Sequence, residues 1–80
     1  MWGVTEVAYL LISLNRSTPA AVAREVREVS GVVDAHVTMG EFDVIALVET
    51  DHTKTFPAVA AEVQRIEGVL KVSTCVVVRP

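Results

Sequence analysis

The chain contains an internal repeat with a spacing of 37 residues. The segment at 26–33, VREVSGVV, returns at 63–70 as VQRIEGVL, and the match extends back to Thr18 and Thr55. Self-similarity at a fixed period of this length indicates one supersecondary unit that has been built more than once. Only two copies fit in 80 residues, so the repeat predicts a small duplicated domain rather than an open-ended solenoid.

Each copy of the repeat carries the signals of a helix followed by a strand. Thr18 and Pro19 mark a helix start, with a capping hydroxyl and a proline at the first helical position, and Thr55 can cap a second helix. Gly31 and Gly68 supply the left-handed residue that commonly ends a helix. Between start and end, apolar residues recur at helical spacing; they are Val22, Val26 and Val29 in the first copy and Val59, Val63 and Ile66 in the second.

Four segments at 4–14, 32–39, 42–49 and 69–79 are rich in β-branched and aliphatic residues and are predicted strands, with a tight turn at Gly40 and Glu41. The element order is therefore strand, helix, strand, strand, helix, strand. Right-handed crossovers place both helices on the same face of one antiparallel sheet. The sequence predicts an α+β, ferredoxin-like βαββαβ sandwich that forms a single domain over residues 1–80.

Three of the strands are apolar on both faces. Residues 9–12, 44–48 and 75–78 are apolar at consecutive positions, whereas a sheet with one wet face alternates apolar and polar residues. The chain is also 51% hydrophobic, which is more than one small core needs. We therefore expect the helices to cover one face and the same face of a second copy to cover the other across a two-fold axis.

The composition excludes several classes of function. Ten acidic residues face seven basic ones without a basic block, so the chain alone is a poor candidate for nucleic-acid binding. Cys75 is the only cysteine, which excludes an internal disulfide, and in an apolar strand it is expected to be buried and inert. Neither a signal peptide nor an apolar stretch of about 20 residues is present, so no membrane association is expected and the default location is the cytoplasm.

Few residues offer catalytic or metal chemistry. His36 is expected at a wet strand edge or an interface, and His52 in a solvated loop, and neither belongs to a metal signature. Glu6 and Asp34 could face one another across strands, which is a weak basis for acid–base chemistry. Neither a metal nor a cofactor is expected.

One local motif stands out, Thr38-Met-Gly-Glu-Phe-Asp43, at the joint between the two copies. Gly40 permits a backbone path that other residues resist, and such a path leaves backbone N–H groups open. Asp43 is placed to accept a hydrogen bond from an ammonium group. The other interpretation is structural, because glycine and aspartate are common turn residues and Asp43 could simply brace the hairpin through a backbone donor.

The order and spacing of these motifs resemble the effector domain of the Lrp/AsnC (leucine-responsive and asparagine-regulatory) transcription factors, also called the RAM domain. The resemblance rests on a first helix that ends in Val-x-x-Val-x-Gly-Val, on Gly40-Glu41-Phe42-Asp43 before an aliphatic strand, and on a second helix that ends in Gly68-Val69. It implies sheet-to-sheet homodimers that assemble into rings and bind amino acids between dimers.

The resemblance also implies which residues bind the effector. Gly40 and Asp43 match the family's hairpin, with Glu41 between them, and Thr74 matches the second of two alternating threonines in the last strand. The first of these threonines is replaced by Val72 here, which removes one hydroxyl. These residues are the predicted effector site.

Family members of full length also carry an N-terminal helix-turn-helix domain, whereas this chain enters its first strand almost at once. It therefore resembles either a stand-alone effector domain, which could also join full-length Lrp/AsnC regulators in mixed assemblies, or a fragment without the DNA-binding part. Three alternatives stay open: a small monooxygenase-like enzyme of the dimeric α+β barrel type, an ACT-like amino-acid-binding module, and a structural partner protein that binds nothing small.

Overall fold

The four strands form a single antiparallel sheet in the order β2-β3-β1-β4. The computed structural model describes residues 5–16 and 18–78. The elements follow one another as β1 (Glu6–Leu14), α1 (Pro19–Arg27), β2 (Val32–Val37), β3 (Val44–Thr50), α2 (Thr55–Gln64) and β4 (Val69–Val76). This arrangement confirms the predicted ferredoxin-like α+β fold.

The core lies between the two helices and one face of the sheet. The predicted apolar stripe of each helix is confirmed. Val22, Val26, Val59 and Val63 are buried, and the third residue of each stripe, Val29 or Ile66, is partly buried. The sheet contributes alternate residues of its two central strands, as expected for side chains that point to one face; they are Ala8, Leu10, Ile12, Val44, Ala46 and Val48. All buried side chains in the described residues are apolar.

Both helices begin without a side-chain cap, contrary to the prediction for Thr18 and Thr55. Pro19 does occupy the first turn of α1, but the backbone carbonyl of Thr18, not its hydroxyl, accepts the bonds from Ala21 and Val22 at 3.1 Å. Thr55 is itself the first residue of α2. The chain enters that helix through a turn in which the N–H groups of Thr55 and Phe56 already donate to the carbonyls of His52 and Thr53 at 3.0 and 3.1 Å. Because Pro57 has no N–H, few donors of the first turn are left for a capping hydroxyl.

Gly31 and Gly68 follow the two helices with φ values of +98° and +97°, as the repeat predicts. At Gly31 the need for glycine is also steric. A Cβ atom there would lie 3.1 Å from Cγ2 of Val59 on α2, so a side chain would press on the core. The first helix end is thus packed directly against the second helix.

The repeat extends to the two outer edges of the sheet. Arg27 near the end of α1 donates through Nε to the Ala35 carbonyl on β2 at 3.0 Å, and Gln64 at the end of α2 donates through Nε2 to the Leu70 carbonyl on β4 at 3.3 Å. Arg27 and Gln64 are equivalent positions of the two copies. Each helix therefore donates a side-chain hydrogen bond to one edge strand. The bond satisfies a carbonyl group at the edge of the sheet, where a strand of another chain could otherwise pair.

The second strand and the hairpin after it differ from the prediction. β2 ends at Val37 instead of residue 39, and Met39 is fully exposed. A shift in register between Val32 and Asp34 leaves Val33 57% exposed, which breaks the expected alternation. The prediction of a tight turn at Gly40 and Glu41 is also wrong. The loop is wider and is closed by a hydrogen bond from the Thr38 N–H to the Asp43 carbonyl at 2.9 Å.

The observed bounds of β3 and β4 also differ from the predicted ones. β3 begins at Val44 and ends at Thr50, compared with the predicted 42–49, because residue 42 belongs to the wide loop. β4 ends at Val76, and the predicted ends of β1 and β4 at residues 4 and 79 lie outside the described residues.

The second face of the sheet carries no part of this chain's two helices and is called the open face below. It presents the other alternate set of apolar side chains, namely Val7, Tyr9, Leu11, Ile45, Leu47 and Cys75. Tyr9 is 44% exposed there. Cys75, predicted to be buried, is exposed because its register partner is Tyr9 and both point away from the helices. Apolar residues therefore do lie on both faces of the sheet.

Candidate functional site

Asp43 anchors the loop between β2 and β3 to the end of β1. Its carboxylate Oδ2 accepts a hydrogen bond from the Leu14 N–H at 2.8 Å, and its own N–H donates to the Ile12 carbonyl at 2.9 Å. Within the loop, the Thr38 hydroxyl donates to the Phe42 carbonyl at 2.8 Å. Asp43 therefore does brace the hairpin, and the hydrogen bond from Leu14 occupies one of its two carboxylate oxygens.

The tip of this loop is open. Gly40 has a φ of +144°, and a Cβ atom built on it would meet nothing within 4 Å. Glu41 is exposed. The backbone N–H groups of residues 39–42 donate to no other group in the described part of the chain, nor does Asp43 Oδ1 have a partner there. Several free donors and one carboxylate oxygen thus lie within a few residues of each other.

This geometry suits a small zwitterion. Exposed N–H groups of a loop can bind a carboxylate, since successive backbone donors form a concave site for anions. A carboxylate oxygen beside them can accept charge-assisted hydrogen bonds from an ammonium group. Gly40, Glu41 and Asp43 lie within four consecutive positions of this loop.

Thr74 is not brought to the loop within one chain. It lies on β4 opposite Leu10, on the helix side of the sheet, and its side chain is exposed at the edge. Asp43 lies beside the end of β1 on the β3 side, so the strand spacings put Thr74 about 14 Å away. Val72, the residue in place of the first threonine, lies opposite Ile12 and packs against the core.

A second polar cluster lies on the open face. Nε2 of His36 is 2.8 Å from Oδ2 of Asp34, and the two side chains share a face because they are two residues apart on β2. The Ala35 N–H, which donates to Asp34 Oδ1 at 2.9 Å, and then the bond with His36 lower the pKa of Asp34. Sequence reasoning put His36 at a wet edge but missed this pair, although the i, i+2 spacing was a usable signal.

The pair borders a shallow groove with a volume of about 280 Å³. Its apolar lining comes from the side chains of Tyr9, Ile45 and Leu47 and its polar rim from β2. The suggested Glu6–Asp34 pairing is wrong, because β3 separates the two strands. Glu6 is instead opposite Thr50, and Asp34 is opposite Leu47.

The described residues contain no group of three His, Cys, Asp or Glu side chains that could hold a metal ion. Neither helix, as far as the structure describes the chain, is long and apolar enough to cross a bilayer. An α+β barrel enzyme needs a roomy polar cleft between sheet and helices, and in this chain that space is occupied by the apolar core.

Solved structures share this fold over nearly the whole chain. TTHA0845 from Thermus thermophilus has a TM-score of 0.86 at 22% identity, covering 94% of this chain and 95% of that one. AsnC from Escherichia coli has a TM-score of 0.80 at 17% identity, covering 94% of this chain and 52% of AsnC. The transcriptional regulator NMB0573 from Neisseria meningitidis, solved as a complex with L-Met, has a TM-score of 0.76 at 17% identity, covering 92% of this chain and 50% of that one.

Sequence comparison identifies the family. No curated protein matches the chain significantly. The family model described as the Lrp/AsnC ligand binding domain, however, matches residues 7–80. This range includes the loop at Gly40–Asp43 and all six elements of the fold except the first residue of β1. The chain therefore belongs to the Lrp/AsnC ligand-binding domain family, whose name indicates a regulatory, ligand-binding role.

Proposed function

We propose that this chain is a non-catalytic amino-acid-binding and oligomerisation module that acts in the cytoplasm, with the effector bound at contacts between its dimers. The observation that carries the proposal is the loop at residues 38–43. Among the described residues it offers N–H groups and a carboxylate oxygen that have no partner, all within residues 39–43, and the loop is held in place by bonds that a ligand need not break. Membership of a ligand-binding domain family supports the same role.

The two ends of the loop have different tasks in this proposal. The N–H groups around Gly40 and Glu41 bind the α-carboxylate of the effector, and Oδ1 of Asp43 binds its α-ammonium group. Because Oδ2 already holds the Leu14 N–H, the carboxylate is oriented before the ligand arrives. A pre-oriented group loses less conformational entropy on binding.

The site extends over more than one copy of the chain. The loop is exposed at one end of the sheet, and Thr74 lies about 14 Å from Asp43 in the same copy, too far for one amino acid to contact both. In a contact between dimers, Thr74 comes from a neighbouring copy. An effector that touches two copies stabilises the assembly it bridges, which is a shift of population between oligomeric states.

The dimer itself forms through the open face. Leu11, Ile45 and Leu47 are each only partly covered there, although their types normally prefer the interior. The second copy supplies the same apolar rows across a two-fold axis. Mixed assemblies with full-length Lrp/AsnC regulators use the same face, since those partners contain the same domain.

An amino acid is the proposed effector class because both ends of the loop match a zwitterion. The structural neighbour NMB0573 was solved in complex with L-Met, which supports this class. We leave the side chain of the effector open. Replacement of the first threonine by Val72 puts an apolar group where the family offers a hydroxyl.

Titration calorimetry against the twenty amino acids tests the proposal. We expect at least one to bind the wild-type chain and Asp43→Asn to weaken that binding at least about tenfold, since the amide keeps an acceptor for Leu14 but loses the charge that holds the ammonium group. Asp51→Asn is the control, because Asp51 is exposed and lies at the opposite end of β3. No binding across the panel, or unchanged binding by Asp43→Asn, would reject the proposal.

A further inference from the structure

The Asp34–His36 pair lies within the surface that a second copy covers in the proposed dimer. Asp34 is opposite Leu47 and His36 is opposite Ile45 in the register of β2 and β3. The side chain of His36 is 68% exposed and that of Asp34 is 50% exposed. Both line the same groove as Tyr9, so any body that fills the groove also removes water from the pair.

The size of the open face leaves a contact between two copies little energy to spare. Four strands with about three residues each on this face make a patch of roughly 20 Å by 20 Å. Two such patches in contact bury about 800 Å², below the range of standard specific interfaces. An isologous contact of this size is therefore sensitive to the cost of taking one polar pair out of water on each side.

Several titratable or charged groups surround His36 on the elements packed around it. Asp34 shares its strand, and Arg27 of α1 reaches the carbonyl between them from the helix side. The other groups are Tyr9 on β1, Asp43 and Glu49 at the two ends of β3, and Lys71 and Cys75 on β4. Within the paired strands, two carboxylates, Asp34 and Glu49, thus share the open face with one lysine.

The charge on His36 decides whether this face repels itself. With a neutral imidazole the Asp34–His36 pair has a net negative charge, and two like-charged faces meet across the two-fold axis. With a protonated imidazole the pair becomes an ion pair without net charge. Burial of an unbalanced charge costs more than burial of a hydrogen-bonded ion pair, so the contact favours the protonated state.

We propose that the Asp34–His36 pair makes the dimer of this chain sensitive to pH, with proton uptake by His36 strengthening the contact. The proposal rests on the dimer through the open face that belongs to the proposed function. The direction follows from linkage: if the dimer binds more protons than two free chains, its dissociation constant falls as pH falls.

Sedimentation equilibrium at pH 5.8 and pH 8.0 measures this effect directly. For the wild-type chain we expect a dissociation constant at least about tenfold lower at pH 5.8, because two histidines per dimer each take up a proton. His36→Gln should remove most of that difference. His52→Gln is the matched control, since His52 is the other histidine, is exposed, and lies in the loop between β3 and α2 away from the open face.

The variant Asp34→Asn tests whether the charge of the Asp34–His36 pair causes the pH dependence of the dimer. It keeps an oxygen that can accept from the Ala35 N–H and removes the carboxylate, so we expect a tighter dimer than wild type at pH 8.0. The pH dependence should disappear or change sign, because a protonated His36 without the carboxylate of Asp34 is itself an unbalanced charge in the contact. A wild-type dimer with the same dissociation constant at both pH values would overturn this inference and leave the proposed function standing. The same pH dependence in His36→Gln would also overturn it. A chain that stays monomeric at both pH values contradicts the proposed dimer as well.

Discussion

The carboxylate of Asp43 accepts a hydrogen bond from the backbone N–H of Leu14 at 2.8 Å, across the gap between the loop before β3 and the end of β1. This bond gives one residue two tasks that fall on different oxygen atoms. Oδ2 holds the loop to the sheet, and Oδ1 is left for the proposed effector. Substitutions at position 43 therefore need to separate stability from binding.

Removal of the Asp43 side chain should destabilise the fold more than removal of its charge. We expect Asp43→Ala to lower the free energy of unfolding by about 1–2 kcal/mol, because the part-buried Leu14 N–H loses its partner. Asp43→Asn should cost less, since its amide oxygen can accept the same bond. Urea unfolding followed by circular dichroism measures both, and equal losses for the two variants would show that the bond to Leu14 contributes little.

The two glycines with positive φ on either side of β2 should differ in their tolerance of alanine. Gly31→Ala combines an unfavourable backbone conformation with a contact of 3.1 Å to Val59, so we expect a loss of about 2–4 kcal/mol. Gly40→Ala meets open space in an exposed loop that can readjust, and we expect the smaller loss. Thermal unfolding of both variants tests this order, which a larger effect at Gly40 would reverse.

Asp34 should add to stability only when it is ionised. Its pKa is lowered in the folded chain by the bonds from Ala35 and His36, so its contribution is complete above the ordinary range of aspartate, about pH 4, and is lost as pH falls through the lowered pKa. The difference in unfolding free energy between wild type and Asp34→Asn should therefore shrink between pH 5 and pH 2. A difference that stays constant over this range would contradict the lowered pKa.

The repeat predicts the fold well because it fixes which helix residues face inward and where each helix ends. Val22, Val26, Val59 and Val63 are buried as their spacing requires, and Gly31 ends its helix region with a positive φ. These features depend on local periodicity, which a sequence displays directly.

The loop and the strand ends were harder to predict because they depend on contacts between distant residues. The bond from Leu14 to Asp43 joins residues 29 positions apart, and it holds the end of a loop that local propensity assigns to a tight turn. Exposure of Cys75 depends in the same way on its pairing with Tyr9, which sets the face of the sheet to which the thiol points.

The solution mass of the chain with and without its amino acid tests the central claim most directly, namely that the open face pairs two copies and an effector then links the pairs. At tens of micromolar and pH 6, sedimentation equilibrium should give at least twice the chain mass of 8.6 kDa and a further increase with a bound amino acid. Leu11→Glu, which places a charge at the centre of the open face, should reduce the mass to that of one chain. A wild-type chain that sediments as a monomer of 8.6 kDa under these conditions would contradict the account.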